Sequence, residues 1–149
     1  MKKIIQILSV VAMFISTGVF AQDFGDNKSV TLTSKAWNAL NTDAGLAIVY
    51  ADKCTELYMA KAKEMQKSLG EFAGEDTASS YWALNDVGTC LFIKGQALIK
   101  QGRTNEALEA FKLLTSTLSY AQCWDSNGWF WRPADAAKEK IIEMEFDAE

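Results

Sequence analysis

The sequence predicts an all-α protein, and three observations predict it. Its 149 residues include one proline, Pro133. The segments after Ser34 are rich in Ala, Leu, Lys, Glu and Met, residues that lose little on entering a helix. Apolar positions recur there at steps of three or four, the spacing of one helix face. Strands have almost nowhere to form.

The chain opens with the marks of an export signal. Lys2 and Lys3 precede a nearly unbroken apolar run from Ile4 to Phe20, and Val19-Phe20-Ala21 supplies small residues where a signal peptidase cuts. Cleavage is expected after Ala21, which makes residues 1–21 a signal peptide. A retained anchor is the alternative, since the run is close to the minimum for spanning a bilayer. Gln22 rather than Cys follows the cut, so no lipid tether is expected. The expected location is periplasmic or secreted, with no membrane span after cleavage.

Losing residues 1–21 removes two of fifteen basic residues and none of nineteen acids, so the net charge moves from −4 to −6. An acidic surface repels phosphate backbones, and no basic stripe offsets it, so no nucleic-acid partner is expected. Residues 22–34 are polar and read as a flexible leader. Residues 35–149 form the helical domain, because a chain of this length buries one good core and hardly two.

Within that domain Ala47, Ala51, Cys54, Tyr58, Ala62, Met65 and Leu69 share one helix face, which Gly70 and Gly74 end. Asp76 and Thr77 are good caps for a second long helix, with a seam through Tyr81, Leu84, Gly88, Leu91, Gly95 and Leu98. Gly102 closes it. Only Arg103 and Thr104 then precede a run with Ala107, Phe111, Leu114 and Leu118 on one face, so the two helices fold back antiparallel. Glycine inside a helix costs about 1 kcal/mol relative to alanine, so Gly88 and Gly95 on the seam imply close helix approach.

The stretch Cys90 to Ser119, CLFIKGQALIKQGRTNEALEAFKLLTSTLS, resembles a tetratricopeptide repeat (TPR). Gly95 falls at that family's small position in the first helix, Leu98 at its large one, Gly102 at the turn, and Ala107 and Phe111 at the second-helix contacts. Leu91 stands where the family has an aromatic, and Ser119 where it has a proline. Ala36-Trp37-Asn38-Ala39-Leu40 followed by Ala47 through Tyr58 looks like a degenerate earlier copy, with Asp43 at a shortened turn. The resemblance implies antiparallel helical hairpins of TPR-like type. It also implies a groove lined by first helices, whose polar candidates are Asn38, Asn85, Lys94 and Gln101. Each hairpin leaves an apolar face for a neighbour. The run from Pro133 through Ala137, Ile141 and Met144 is read as the C-terminal capping helix, with Glu143 to Glu149 frayed.

The segment 123–133 is the most unusual local feature, with Trp124, Trp129, Phe130 and Trp131 within eight residues. One reading has alternate rings plugging the end of the stack while Asp125, Ser126, Asn127 and Gly128 turn the chain. The other leaves one or two rings exposed for a partner. If the segment is extended, Trp129 and Trp131 point one way and Phe130 the other.

Catalysis finds little support. The chain has no histidine, which removes Ser-His and Cys-His pairs and the common histidine-containing zinc sites. Glu71, Glu75 and Asp76 read as a solvated loop, and Asp125 as a turn residue bonding its own backbone. Gly88, Gly95 and Gly102 are spaced by seven along a helix and form no phosphate loop. No catalytic residue, cofactor or metal is expected. Cys54, Cys90 and Cys123 leave two readings open, a Cys54–Cys90 disulfide or ordinary buried thiols.

The expectation is thus an exported, non-catalytic protein-interaction or scaffold module with an unidentified protein partner. The alternative is a saccharide-binding or saccharide-processing protein using Trp124, Asp125, Trp129 and Trp131. Self-association through exposed repeat ends is a third.

Overall fold

The computed structural model describes residues 22–125 and 127–146, and within them the fold is essentially all-α. The elements in order are α1 (Ser29–Ala39), α2 (Ala44–Lys67), α3 (Trp82–Lys100), α4 (Thr104–Thr117), β1 (Cys123–Trp124), β2 (Phe130–Trp131) and α5 (Pro133–Phe146). The proposed signal peptide, residues 1–21, lies outside the described residues. None of the described helices is long and apolar enough to cross a membrane.

Helix α3 is the centre. Twelve of its nineteen residues are buried, and α1, α2, α4 and α5 all pack on it. Its partners fix the direction of each neighbour. Lys94 pairs with Asp52 and the Trp82 ring meets Tyr58, so α2 runs antiparallel to α3. Ser29 reaches Asp86 and Thr33 reaches Cys90, so α1 runs parallel to α3. A Cβ on Gly95 would meet Phe111 and one on Gly88 would meet Ala121 and Leu114, so α4 returns antiparallel.

Local chemistry accounts for the turns. Asp43 caps α2 by accepting from the Leu46 N–H at 2.9 Å. Helix α3 ends in a Schellman arrangement: the Arg103 N–H donates to the Leu98 carbonyl at 2.9 Å, and Gly102 takes the left-handed conformation with φ +72° that a side chain would resist. Gly88 and Gly95 do mark close approach. An added Cβ at Gly88 would lie 2.5 Å from the Ala121 Cβ, and one at Gly95 would enter the Phe111 ring.

Three boundaries differ from the sequence reading. The helical body begins at Ser29, not residue 35, and residues 22–28 are also engaged: Tyr58 donates to the Asn27 carbonyl at 2.8 Å, and the Phe24 ring meets Tyr50 edge-on. Long-range contacts explain this, since Leu32 is fully buried and Ser29 bonds a residue 57 positions away. Asp76 and Thr77 do not cap α3. Thr77 Oγ1 donates back to the Gly74 carbonyl, and a single 3-10 turn, Ala78–Tyr81, leads into Trp82. Helix α5 continues past Glu143 to Phe146, where Lys112 pairs with Glu145 at 2.8 Å. Pro133 starts this helix, and Ala137, Ile141 and Met144 face the core as expected.

Candidate functional site

The apolar faces of α2 and α4 leave one side of α1 and α3 uncovered, and the segment after α4 folds over that side as a two-stranded ribbon. Cys123 pairs with Trp131 and Trp124 with Phe130 in antiparallel register. Asp125 turns the ribbon, as its residue type suggests: its Oδ1 accepts from the Asn127 backbone and side-chain nitrogens, and Gly128 supplies the positive φ. Trp131 anchors it, its ring 5.0 Å from Phe92 and 6.0 Å from Trp37. Asn85 holds both ends of the arrangement. Its Nδ2 donates to the Ala78 carbonyl at 2.9 Å, and its Oδ1 accepts from the Gln122 N–H at 3.0 Å.

Two clefts lie between ribbon and helices. The first, of about 600 Å³, is walled by Val30, Trp82, Trp124 and Phe130, with Glu75, Asp76, Asn85 and Asp86 among its polar groups. The second, of about 500 Å³, lies between Trp37, Phe92, Trp124 and Trp131, with Thr33, Asp86, Thr89 and Asp125. Both are bordered by Asp86, Cys123 and Trp124, so they are two halves of one groove along α1 and α3. A smaller hollow beside Ser29, Tyr58 and Trp82 also reaches Asp86.

Asp86 is therefore the polar centre of the groove. Its Oδ2 accepts from the Ser29 hydroxyl, which lies 2.5 Å away. Burial pushes its carboxyl above the ordinary range, and the Ser29 bond pulls part of the way back. No Lys or Arg pairs with it among the described residues.

The expected site residues divide. Asn85, Trp124 and Trp131 border the groove. Trp129 does not: it sits in the bend before β2, 54% exposed, so the extended geometry that would set it beside Trp131 does not occur. Asn38 is exposed on α1 away from the clefts, and Gln101 accepts from Arg103 beyond the end of α3. Lys94 faces α2, where Asp52 holds it at 2.6 Å. Trp131 packs against Phe92 and Trp37, while Trp124 stays 60% exposed at the groove. The residues missed are Val30, Trp37, Trp82, Asp86 and Thr89. Asp86 had a signal: it is the only acid in α3, within a helix that is otherwise mostly apolar.

Cys54 and Cys90 are fully buried free thiols near Thr33, whose hydroxyl lies 4.0 and 3.2 Å from their sulfurs. The neighbouring Cys54, then burial, push the Cys90 thiol up. Burial also raises Cys123, to about 11, against the lowering effect of the Thr89 hydroxyl. Thiolate chemistry at neutral pH is suppressed at both. Among the described residues no three Cys, Asp or Glu side chains gather closely enough to hold a metal ion. No family model matches the chain, and no curated protein and no solved structure matches it either.

Proposed function

We propose that this protein is an exported, non-catalytic interaction module of TPR-like helical hairpins that binds an extended segment of a partner protein in the groove between α1, α3 and the aromatic ribbon. One observation carries the reading. The groove exposes Val30, Trp82 and Trp124, large apolar side chains that water solvates poorly, around hydrogen-bonding groups on a rigid helical floor. Two antiparallel helix pairs with α1 parallel to α3 are what stacked hairpins produce. The offset between equivalent contacts on α1 and α3 is 57 residues, longer than the 34-residue TPR period, because α2 has 24 residues and a long connection follows it. The export reading rests on residues 1–21.

The test places a photo-crosslinking amino acid at Val30 or Trp124, and at Val49 as a control that is exposed on α2 outside the groove. In the native cell envelope the groove positions yield one defined protein adduct and Val49 none. Equal adducts at all three positions overturn the reading. Intact mass of the recovered protein starting at Gln22 tests the cleavage.

A second reading has one specific observation behind it. Trp124 presents an exposed ring with Asp86 and Asp125 nearby, the combination of aromatic face and carboxylate that stacks and hydrogen-bonds a sugar. Saturation-transfer NMR with envelope oligosaccharides tests it, and signal lost in Trp124→Ala would favour it.

A further inference from the structure

The groove is acidic as well as aromatic. Glu75, Asp76, Asp86 and Asp125 border its two halves, and among the described residues no Lys or Arg does. Two basic groups close to the groove in sequence have contacts of their own. Lys28, beside the smaller hollow, pairs with Asp26 at 3.0 Å, and the Arg132 guanidinium lies over the Phe72 ring at 3.8 Å. Trp82 and Trp124 line the first half with Asp86; Trp37, Trp124 and Trp131 line the second with it, and the negative π-face of tryptophan attracts cations more strongly than other aromatic side chains.

From this combination we infer that the groove selects a lysine or arginine side chain on the bound segment, seated against Asp86 between the faces of Trp82 and Trp124. The inference rests on the groove-binding reading above and adds the chemistry of its occupant. Asp86 is half-buried, and the one hydrogen-bond partner of its carboxylate among the described residues is the neutral Ser29 hydroxyl. A carboxylate removed from water without a cation is costly, and a ligand that brings one recovers that cost on binding. The apolar walls meanwhile cover the methylene stem of the incoming side chain, the way long basic side chains bury their stems while the charged head finds its partner. A neutral or acidic segment leaves the carboxylate uncompensated and is discriminated against by the same term.

The experiment is a selection from a phage-displayed library of random dodecapeptides on the full-length protein, run in parallel with Asp86→Asn. The variant keeps an oxygen acceptor for Ser29, and its fold is checked by circular dichroism. The expected result is enrichment of Lys or Arg at one fixed position with the native protein and loss of that preference with Asp86→Asn. The best peptide, titrated calorimetrically, binds Asp86→Asn about tenfold or more weakly, as does its norleucine-for-lysine analogue with the native protein. Enriched peptides without a basic position, or a basic preference that survives Asp86→Asn, overturn the charge inference and leave the groove reading standing. Failure to enrich any peptide that competes with crosslinking at Val30 overturns both.

Discussion

Helix α3 has two long sides built on opposite principles. Towards α4 it offers Gly88 and Gly95, and the facing Ala121 and Phe111 fill the space so closely that a single methyl group has nowhere to go. Towards the ribbon it offers Trp82, Asn85, Asp86, Thr89 and Phe92; Trp131 touches Phe92, and the space beside Trp124 is left as a groove. One side uses small residues to eliminate volume, and the other uses large ones to enclose it. A protein that needed only to fold would gain by closing both sides, since each buried apolar side chain contributes about 1.5–3 kcal/mol. The side left open is the one on which the proposed binding reading rests.

Substitutions break this contrast in a graded way. On the closed side, Phe111→Ala is expected to cost about 3–5 kcal/mol of unfolding free energy, because the ring is fully buried and its loss leaves a cavity against Gly95. Gly95→Ala should cost about 1–3 kcal/mol despite alanine's better helix propensity. Paired with Phe111→Leu, the alanine should cost less than the sum of the single changes, and additivity in a urea double-mutant cycle would contradict the close-approach account.

On the open side the losses are smaller. Trp131→Ala removes two aromatic contacts and the ribbon's anchor, an expected loss of about 1–3 kcal/mol. Asp86→Asn should have the opposite sign. The folded chain holds this proton more tightly than the unfolded chain does, so stability falls as pH rises from 3.8 through the raised folded value, and the deficit persists above it. The variant removes that deficit. Its urea midpoint should exceed the native one at pH 7, and the gap should vanish below pH 3.8. A lower midpoint for the variant at pH 7 would mean that Asp86 is a structural acceptor and not a strained one. Trp129→Ala, at the exposed tip, should fall within about 0.5 kcal/mol of the native protein.

The two sides also differ in how legible they were. The closed side could be read directly, because Gly88, Gly95, Leu98, Ala107 and Phe111 carry a period and a size pattern that only close helix packing explains. The open side depends on which element covers which, and no local pattern encodes that. Asp86 sits two positions from the seam residue Leu84, and periodicity alone assigns such an acid to solvent. It is half-buried because α1 starts early enough for Ser29 to reach it. That start was itself hidden, since Ser29 to Ser34 is mostly Ser, Thr and Val, poor helix formers, and becomes helical through contacts with α2 and α3. Trp131 was legible as a plug or a contact by its type, whereas Trp129 was not separable from it without the turn geometry at Asp125 and Gly128.

The Asn85 carboxamide ties the turn that enters α3 to the strand that leaves α4, one bond on each side. Both segments border the first cleft, and Gln122 adds a second tie, its Nε2 donating to the Ala73 carbonyl at 2.6 Å. The spacing on this side of the opening is therefore set by two side chains, Asn85 and Gln122. Amide hydrogens in Ala78–Tyr81 and at Gln122 are therefore expected to exchange in one cooperative opening event.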